Sequence, residues 1–164
     1  MERRSTSNLE WIALLALLAA PLAHADDEVK EAVRDVGAVL GWRLAPEAVE
    51  ERCRAIDPDG AEVRKEALAG WLRKNQPLIG SVDSRVAEVV PLMFENQPPD
   101  VAIRAVREQV REMILEPVSL QSCKAVANPT HMLWKSNGLP QVQESLAALY
   151  DWQVRHTRIK ELKS

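Results

Sequence analysis

The chain has 164 residues, of which 46% are hydrophobic and 27% are charged, and its formal net charge is -3. That length corresponds to one domain, and the near-average composition excludes a disordered chain, a collagen-like repeat and a disulfide-dense miniprotein. Six Gly, five Trp, one Tyr and one Phe are too few turn and strand formers for a β-sandwich, and the nearly neutral charge removes the main reason to expect a nucleic-acid partner.

Residues 1–25 have the layout of a secretory signal peptide. Two arginines stand near the start, residues 11–20 are apolar, and Ala23 and Ala25 are the small residues that signal peptidase needs. The apolar run is shorter than the roughly 20 residues that span a bilayer. We therefore expect a mature helical domain over residues 26–164 with no membrane span after cleavage; the alternative is an uncleaved anchor or a buried core helix. The leader resembles those of Gram-negative bacteria, which implies a periplasmic or secreted protein.

The mature chain contains two cysteines, Cys53 and Cys123, which permit only one intramolecular pairing. In an exported chain such a pair is expected to form a disulfide. The bridge would close a loop of about 71 residues, for which the chain-entropy description gives roughly 4 kcal/mol. The alternative is a redox-active or nucleophilic thiol, but the chain has no Cys-x-x-Cys motif.

Apolar residues recur at helical spacing throughout the first half of the mature chain. Gly41 predicts the end of a first helix, and Pro46 predicts the start of a second, because its missing N–H costs nothing at a first helical position. A turn at residues 57–60 follows, Pro77 predicts the end of the third helix, and Pro91 predicts a kink or a break in the fourth. Four helices are predicted in this half, over residues 26–41, 46–56, 61–75 and from 81 onward.

The second half continues the helical pattern. A long helix is predicted after the Pro98–Pro99 connector and ends near Pro117, and Cys123 falls on a short helical or irregular segment. Turns at residues 128–129 and 136–138 flank the segment 131–134, and a last helix is predicted from Pro140 to about Leu162. The predicted fold is all-α: a single compact bundle of five or six helices stapled by one disulfide.

The turn at 57–60 partly imitates a calcium-binding loop. Asp57, Asp59 and Glu66 match the third, fifth and twelfth positions of such a loop when Gly60 is placed sixth. The first position is then Ala55, which has no carboxylate. A turn with a helix cap explains the same residues, and we predict no metal site here.

No other motif in the chain indicates chemistry. His131 and His156 lack the spacing of zinc ligands, and His156 near the end of the last helix suits the helix dipole. The chain has neither a Gly-x-Ser-x-Gly motif nor a phosphate-binding Gly-rich loop. Arg104, Arg107 and Arg111 share one helix face that interleaved glutamates partly neutralise, so a mixed surface is favoured over a ligand-binding arginine patch. We therefore predict no catalytic residue, no metal and no cofactor.

Four tryptophans are the large apolar anchors of the mature chain: Trp42, Trp71, Trp134 and Trp152. Most of them are expected in the core. Trp42 and Trp134 fall outside the strongest helical stripes, so they are candidates for an exposed interaction surface. The connector residues Pro98 and Pro99 are the other candidates.

The order of Cys53, Pro58, Trp71, Asn75 and Val82 is similar to that in a type of small exported helical protein of proteobacteria without an assigned function. The resemblance covers about a fifth of the chain. It implies an all-α periplasmic fold and carries no catalytic residues.

These observations favour a noncatalytic periplasmic or secreted helical protein that mediates protein–protein interaction, with an unknown protein partner and no nucleic acid. A homodimer is compatible with the same reading. Two alternatives stay open at this point. One is a small-molecule or lipid carrier with a cavity between helices, and the other is an enzyme whose site is not recognisable from sequence.

Overall fold

Two long helices form the frame of the protein in a computed structural model, which describes residues 27–135 and 140–163. In chain order the helices are α1 (Asp27–Ile56), a 3-10 helix (Pro58–Gly60), α2 (Ala61–Met93), α3 (Pro99–Leu115), α4 (Leu120–Val126), α5 (Met132–Lys135) and α6 (Pro140–Lys163). The predicted all-α bundle with one disulfide is confirmed over the described residues. The predicted signal peptide and the turn at 136–138 lie outside them.

The two longest helices run through residues at which the sequence predicted interruptions. Gly41 and Pro46 both lie inside α1, and Pro77 and Pro91 both lie inside α2. The sequence predicted that each of these helices is divided in two, over 26–41 and 46–56 and over 61–75 and from 81 onward. Both divisions are wrong, because each helix is continuous. Packing explains the difference, because buried side chains flank each interruption and outweigh the roughly 1 kcal/mol cost of a helical Gly and the hydrogen bond lost at each Pro.

Helix α1 is the centre of the bundle and packs against every other described helix. Its central apolar residues, Val39 and Leu40, are fully buried. The core also takes side chains from each of the other helices: Trp71, Val82, Val86, Val89, Val90, Val106, Val110, Cys123, Val126, Trp134, Leu149 and Trp152. Burial of one large apolar side chain contributes about 1.5–3 kcal/mol, so this shared core is what holds the helices together. Trp71 and Trp152 occupy the core, as the sequence predicted.

Cys53 of α1 and Cys123 of α4 form a disulfide with a Cα–Cα distance of 5.2 Å. Both residues are 0% exposed, so the bond lies within the core. It fixes the short helix α4 to the end of α1. None of the described helices has an apolar stretch long enough to cross a membrane.

Candidate interaction site

An apolar groove with a volume of about 300 Å³ opens to solvent between α1 and the chain around α5. Its lining residues are Trp42, Ala45 and Pro46 on one side and His131, Met132 and Leu133 on the other. We call this surface the α1–α5 groove. Its two walls come from segments about ninety residues apart in the chain, so only the folded bundle creates it.

Aromatic packing and an internal proline position the α1 wall. The Trp42 ring packs against that of Trp71 with a centroid distance of 5.0 Å and an interplanar angle of 50°, a tilted geometry that aromatic pairs favour. Trp71 is only 2% exposed, so Trp42 rests on a fixed surface. Pro46 is buried within α1, which places its ring between the core and the groove.

The second wall is held in place by the residue that follows it. Trp134 is 7% exposed, and its indole N–H donates a 2.8 Å hydrogen bond to the backbone oxygen of Val126 at the end of α4. Within the wall, the backbone N–H of Leu133 donates to Nδ1 of His131 at 3.2 Å. A buried anchor and a local hydrogen bond therefore fix this four-residue helix, which is too short to be stable alone.

Met132 forms the exposed rim of the α1–α5 groove. Its relative exposure is 77%, against 53% or less for the other exposed large apolar side chains of the described chain. A methionine side chain is unbranched and polarizable, so it can adapt to apolar partners of different shapes. Exposed methionines are frequent at binding surfaces that accept different partners, which makes this rim a candidate contact surface.

A buried arginine lies beside the disulfide. Arg64 of α2 is 0% exposed, and its Nη1 is 2.7 Å from the Asp57 carboxylate. The same guanidinium donates to the backbone oxygens of Cys53 at 3.1 Å and of Cys123 at 3.4 Å, and to the backbone oxygen of Asp57. Its Nε has no hydrogen-bond partner among the described residues. Arg64 thus links the end of α1 to the middle of α4, at the point where the disulfide also joins the two helices.

The turn at 57–60 is built around this arginine. A Cβ on Gly60 would lie 2.8 Å from the Asp57 carboxylate and 2.9 Å from the Ala127 Cβ, and closer still to Nη1 of Arg64. The cation bound to the Asp57 carboxylate is the Arg64 guanidinium, at 2.7 Å, and only a residue without a Cβ fits beside this pair. Across the described residues, no three His, Cys, Asp or Glu side chains are grouped as metal ligands would be.

The disulfide and Arg64 determine where the second groove wall lies. The side chain of Cys123 is bonded to Cys53 near the end of α1, and its backbone oxygen accepts a hydrogen bond from Arg64 near the start of α2. The chain continues from Cys123 to Val126, which accepts the Trp134 hydrogen bond, and Trp134 holds Met132 and Leu133 at the groove. The groove therefore depends on a continuous series of contacts that begins at the disulfide.

The structure separates the four residues that the sequence predicted for an interaction surface. Trp42 lines the groove. Trp134, the other tryptophan named as a candidate for exposure, is buried and hydrogen-bonded, so its own side chain is not a contact surface; it positions its neighbours instead. Pro98 and Pro99 are exposed at the start of α3 and do not line the groove.

Sequence reasoning pointed to the segment around Trp134 but did not single out Pro46, Met132 or Leu133 as site residues. The signal for the last two was the apolar segment 131–134 between two predicted turns, in which Trp134 attracted attention because of its size. Pro46 gave the opposite signal, since a proline indicates a helix start rather than a buried wall of a groove.

The arginines of the α3 face are engaged in ion pairs. Arg104, Arg107 and Arg111 lie 3.3, 2.6 and 2.6 Å from the carboxylates of Asp100, Asp83 and Glu51. The Asp83 carboxylate also forms an ion pair with Arg43 of α1, with 3.5 Å between Oδ2 and the Arg43 Nε. The face is therefore the mixed charged surface that the sequence favoured: Arg104 pairs within α3, whereas Arg107 and Arg111 pair with α2 and α1.

His156 does not lie at the helix end that the sequence assigned to it. Helix α6 continues to Lys163, and the dipole effect is confined to the last turn. The His156 ring stacks on Trp152 with a centroid distance of 4.7 Å, and its Nε2 lies 3.4 Å from the Glu95 carboxylate. This histidine packs α6 against the end of α2, away from the groove.

Two carboxylates away from the groove have unusual surroundings. Burial raises the pKa of Asp35, and a 2.9 Å hydrogen bond from the Ser145 hydroxyl partly opposes that increase. Glu50 is 2% exposed and accepts two hydrogen bonds from Arg54, at 3.1 and 2.5 Å. The Glu50 carboxylate raises the pKa of Arg54 through these bonds. Both carboxylates have structural partners, and neither lines the groove.

No protein-family model, curated protein or solved structure matches this chain. The geometry of the groove is therefore the basis for a functional proposal.

Proposed function

We propose that this protein is a noncatalytic periplasmic or secreted binding protein, and that the α1–α5 groove receives an apolar anchor side chain of a partner protein. The observation that carries the proposal is the pairing of a 77% exposed methionine with a groove lined by Trp42, Pro46 and Leu133. The buried disulfide supports an extracytoplasmic location, because such bonds persist in oxidising compartments.

The size of the groove favours a single protein side chain as its occupant. An apolar cavity of about 150 Å³ is large enough for a benzene ring, so about 300 Å³ has room for one large aromatic or aliphatic side chain. Interface hot spots are typically side chains of this kind seated in desolvated recesses. A single anchor surrounded by neutral contacts would then supply much of the binding free energy.

The shape of the groove argues against the carrier alternative. Small-molecule sites usually enclose about 300–1,000 Å³ and bury most of the ligand. The α1–α5 groove is at the lower limit of that range and is open on one side. A carried lipid would keep much of its apolar surface in water, whereas a partner protein would cover both its own anchor and Met132.

Site-specific photo-crosslinking in a Gram-negative host tests the proposal. A photoreactive phenylalanine analogue replaces Met132, and in a matched control it replaces Tyr150, which is 53% exposed on α6 outside the groove. We expect one discrete protein adduct with the probe at position 132 and none at position 150.

A charge in the groove provides the second arm of the test. Met132→Asp should weaken binding of the crosslinked partner by about 2 kcal/mol or more, the range of a hot-spot residue. Leu120→Asp, at a position of α4 that is 48% exposed and outside the groove, should not. Equal adducts at positions 132 and 150, or equal effects of the two Asp substitutions, would contradict the proposal.

A further inference from the structure

The methionines of the described chain differ sharply in exposure. Met132 is 77% exposed at the groove rim, whereas Met93 and Met113 are half-buried, the former packed against the core. The remaining methionine, Met1, belongs to the predicted leader. An oxidant dissolved in water therefore meets the Met132 sulfur before the other two.

We propose that Met132 is an oxidation site, and that its conversion to the sulfoxide by a peroxide closes the α1–α5 groove to apolar ligands. The inference rests on the proposed function for its consequence, because loss of an apolar contact matters only if the groove binds one. The oxidation itself depends only on the exposure of the sulfur.

The reaction is a two-electron oxygen transfer. A lone pair of the Met132 Sδ attacks one oxygen of hydrogen peroxide, the S–O bond forms, and the O–O bond breaks. The departing hydroxide takes the proton of the transferred OH, so the products are one sulfoxide and one water. The thioether is oxidised and the peroxide is reduced, and no other reactant is required.

The product is unsuited to the groove. A sulfoxide converts a flexible apolar side chain into a polar one and disrupts methionine-lined interfaces. Trp42, Ala45 and Leu133 present apolar surface to the bound group, so an anchor seated there would have to desolvate the sulfoxide oxygen. We expect oxidation to weaken apolar binding roughly five- to ten-fold, in line with the modest penalty measured for burying an unpaired polar group in proteins.

Graded peroxide treatment of the purified mature protein tests both parts of the inference. Peptide mass spectrometry follows sulfoxide formation at positions 93, 113 and 132. Fluorescence titration with 1-anilinonaphthalene-8-sulfonate then measures the affinity of this apolar dye for the groove. Two variants complete the series: Met132→Leu keeps an apolar rim without sulfur, and Met132→Gln places a polar group there without oxidation.

The expected result has three components. Met132 is oxidised first, dye affinity falls five- to ten-fold in the wild type but not in Met132→Leu, and Met132→Gln binds weakly before treatment. Prior oxidation of Met93 or Met113, or an equal loss in Met132→Leu, would overturn the inference. If the untreated protein does not bind the dye, the inference that oxidation closes the groove to apolar ligands would be overturned. The photo-crosslinking experiment tests the partner contact separately.

Discussion

Gly60 has much less free space around it than Gly41, Gly70 or Gly80. An added Cβ would lie within 3 Å of three groups, which include the Asp57 carboxylate and the Ala127 side chain. Gly60→Ala should therefore separate the Arg64–Asp57 pair or displace α4. We expect a loss of about 1–3 kcal/mol in the free energy of unfolding, the usual cost of overpacking, measured by denaturant titration.

Gly41 provides the matched control for this substitution. It lies inside α1, and a Cβ there would meet nothing within 4 Å. Gly41→Ala should raise the free energy of unfolding by about 0.5–1 kcal/mol, because alanine restricts the unfolded chain and favours the helix. Similar changes at the two positions would show that the crowding around Gly60 has no energetic consequence.

Arg64 is the residue on which the neighbourhood of the disulfide depends most. Arg64→Met would leave the Asp57 carboxylate without its buried cation. It would also remove the guanidinium donor from the backbone oxygens of Cys53 and Cys123, each of which keeps one backbone N–H donor. We expect a loss of about 3–5 kcal/mol in the free energy of unfolding, the cost of removing one partner of a buried ion pair.

Lys65 is the control for Arg64. Its side chain is 70% exposed, and its nearest carboxylate is Glu62 at 3.7 Å. Lys65→Met should change the free energy of unfolding by no more than about 0.5 kcal/mol, as exposed substitutions usually do. An effect of Arg64→Met as small as that of Lys65→Met would exclude a structural role for the buried pair.

At the scale of elements, the sequence predicted helix content correctly but not helix length. The 3.6-residue spacing of the valines identifies helices on both sides of Gly41 and Pro77. Whether a helix continues through such a residue depends on the neighbours that bury its flanks, and those neighbours come from distant parts of the chain. The shorter helices α3 and α6 lack an internal break signal, and their predicted positions agree with the structure.

The candidate site was only partly predictable for the same reason. Trp42 and Trp134 stood out because they are large apolar residues outside the strongest helical stripes. Their association could not be read from the sequence, since it depends on Trp134 packing beneath the wall and on Arg64 reaching α4. Arginine side chains are almost always exposed, so the sequence alone gives no reason to expect Arg64 in the core.

Asp35 gives the contact between α1 and α6 a pH dependence. Burial raises the pKa of its carboxyl in the folded state, so folding works against ionisation of Asp35. Asp35→Asn keeps the shape and can still accept the 2.9 Å hydrogen bond from Ser145. We expect the variant to be more stable than the wild type at neutral pH by a small margin, because the carboxyl is only half-buried.

The sign follows from linkage. Below pH of about 3.9, the usual pKa of an unfolded Asp, both states are protonated and the two proteins should have equal Tm. As the pH rises, Asp35 ionises first in the unfolded state of the wild type. This ionisation favours unfolding and lowers the free energy of unfolding, until the carboxyl of the folded state also ionises. The Tm advantage of Asp35→Asn should therefore appear above that pH and then level off. An advantage that is largest in acid would contradict this account.

At the scale of the whole molecule, the disulfide maintains both the bundle and the groove. Its two cysteines are separated by 70 positions, and removal of a native disulfide typically costs about 2–5 kcal/mol. The Cys53→Ala/Cys123→Ala variant should lose stability in that range by denaturant titration. It should also lose dye binding at the groove before it unfolds, because α4 leads to the second wall. Dye binding that persists until global unfolding would show that the wall is held independently.

Mass spectrometry of the protein isolated from its natural compartment, alkylated without reductant, tests the central claim most directly. That claim is that export carries the chain to a compartment where the Cys53–Cys123 bond locks a helical binding scaffold. The account predicts a chain that begins at Asp26, takes up no alkylating reagent and yields one peptide pair linked through Cys53 and Cys123. A chain that retains residues 1–25, or one alkylated at both cysteines, would contradict it.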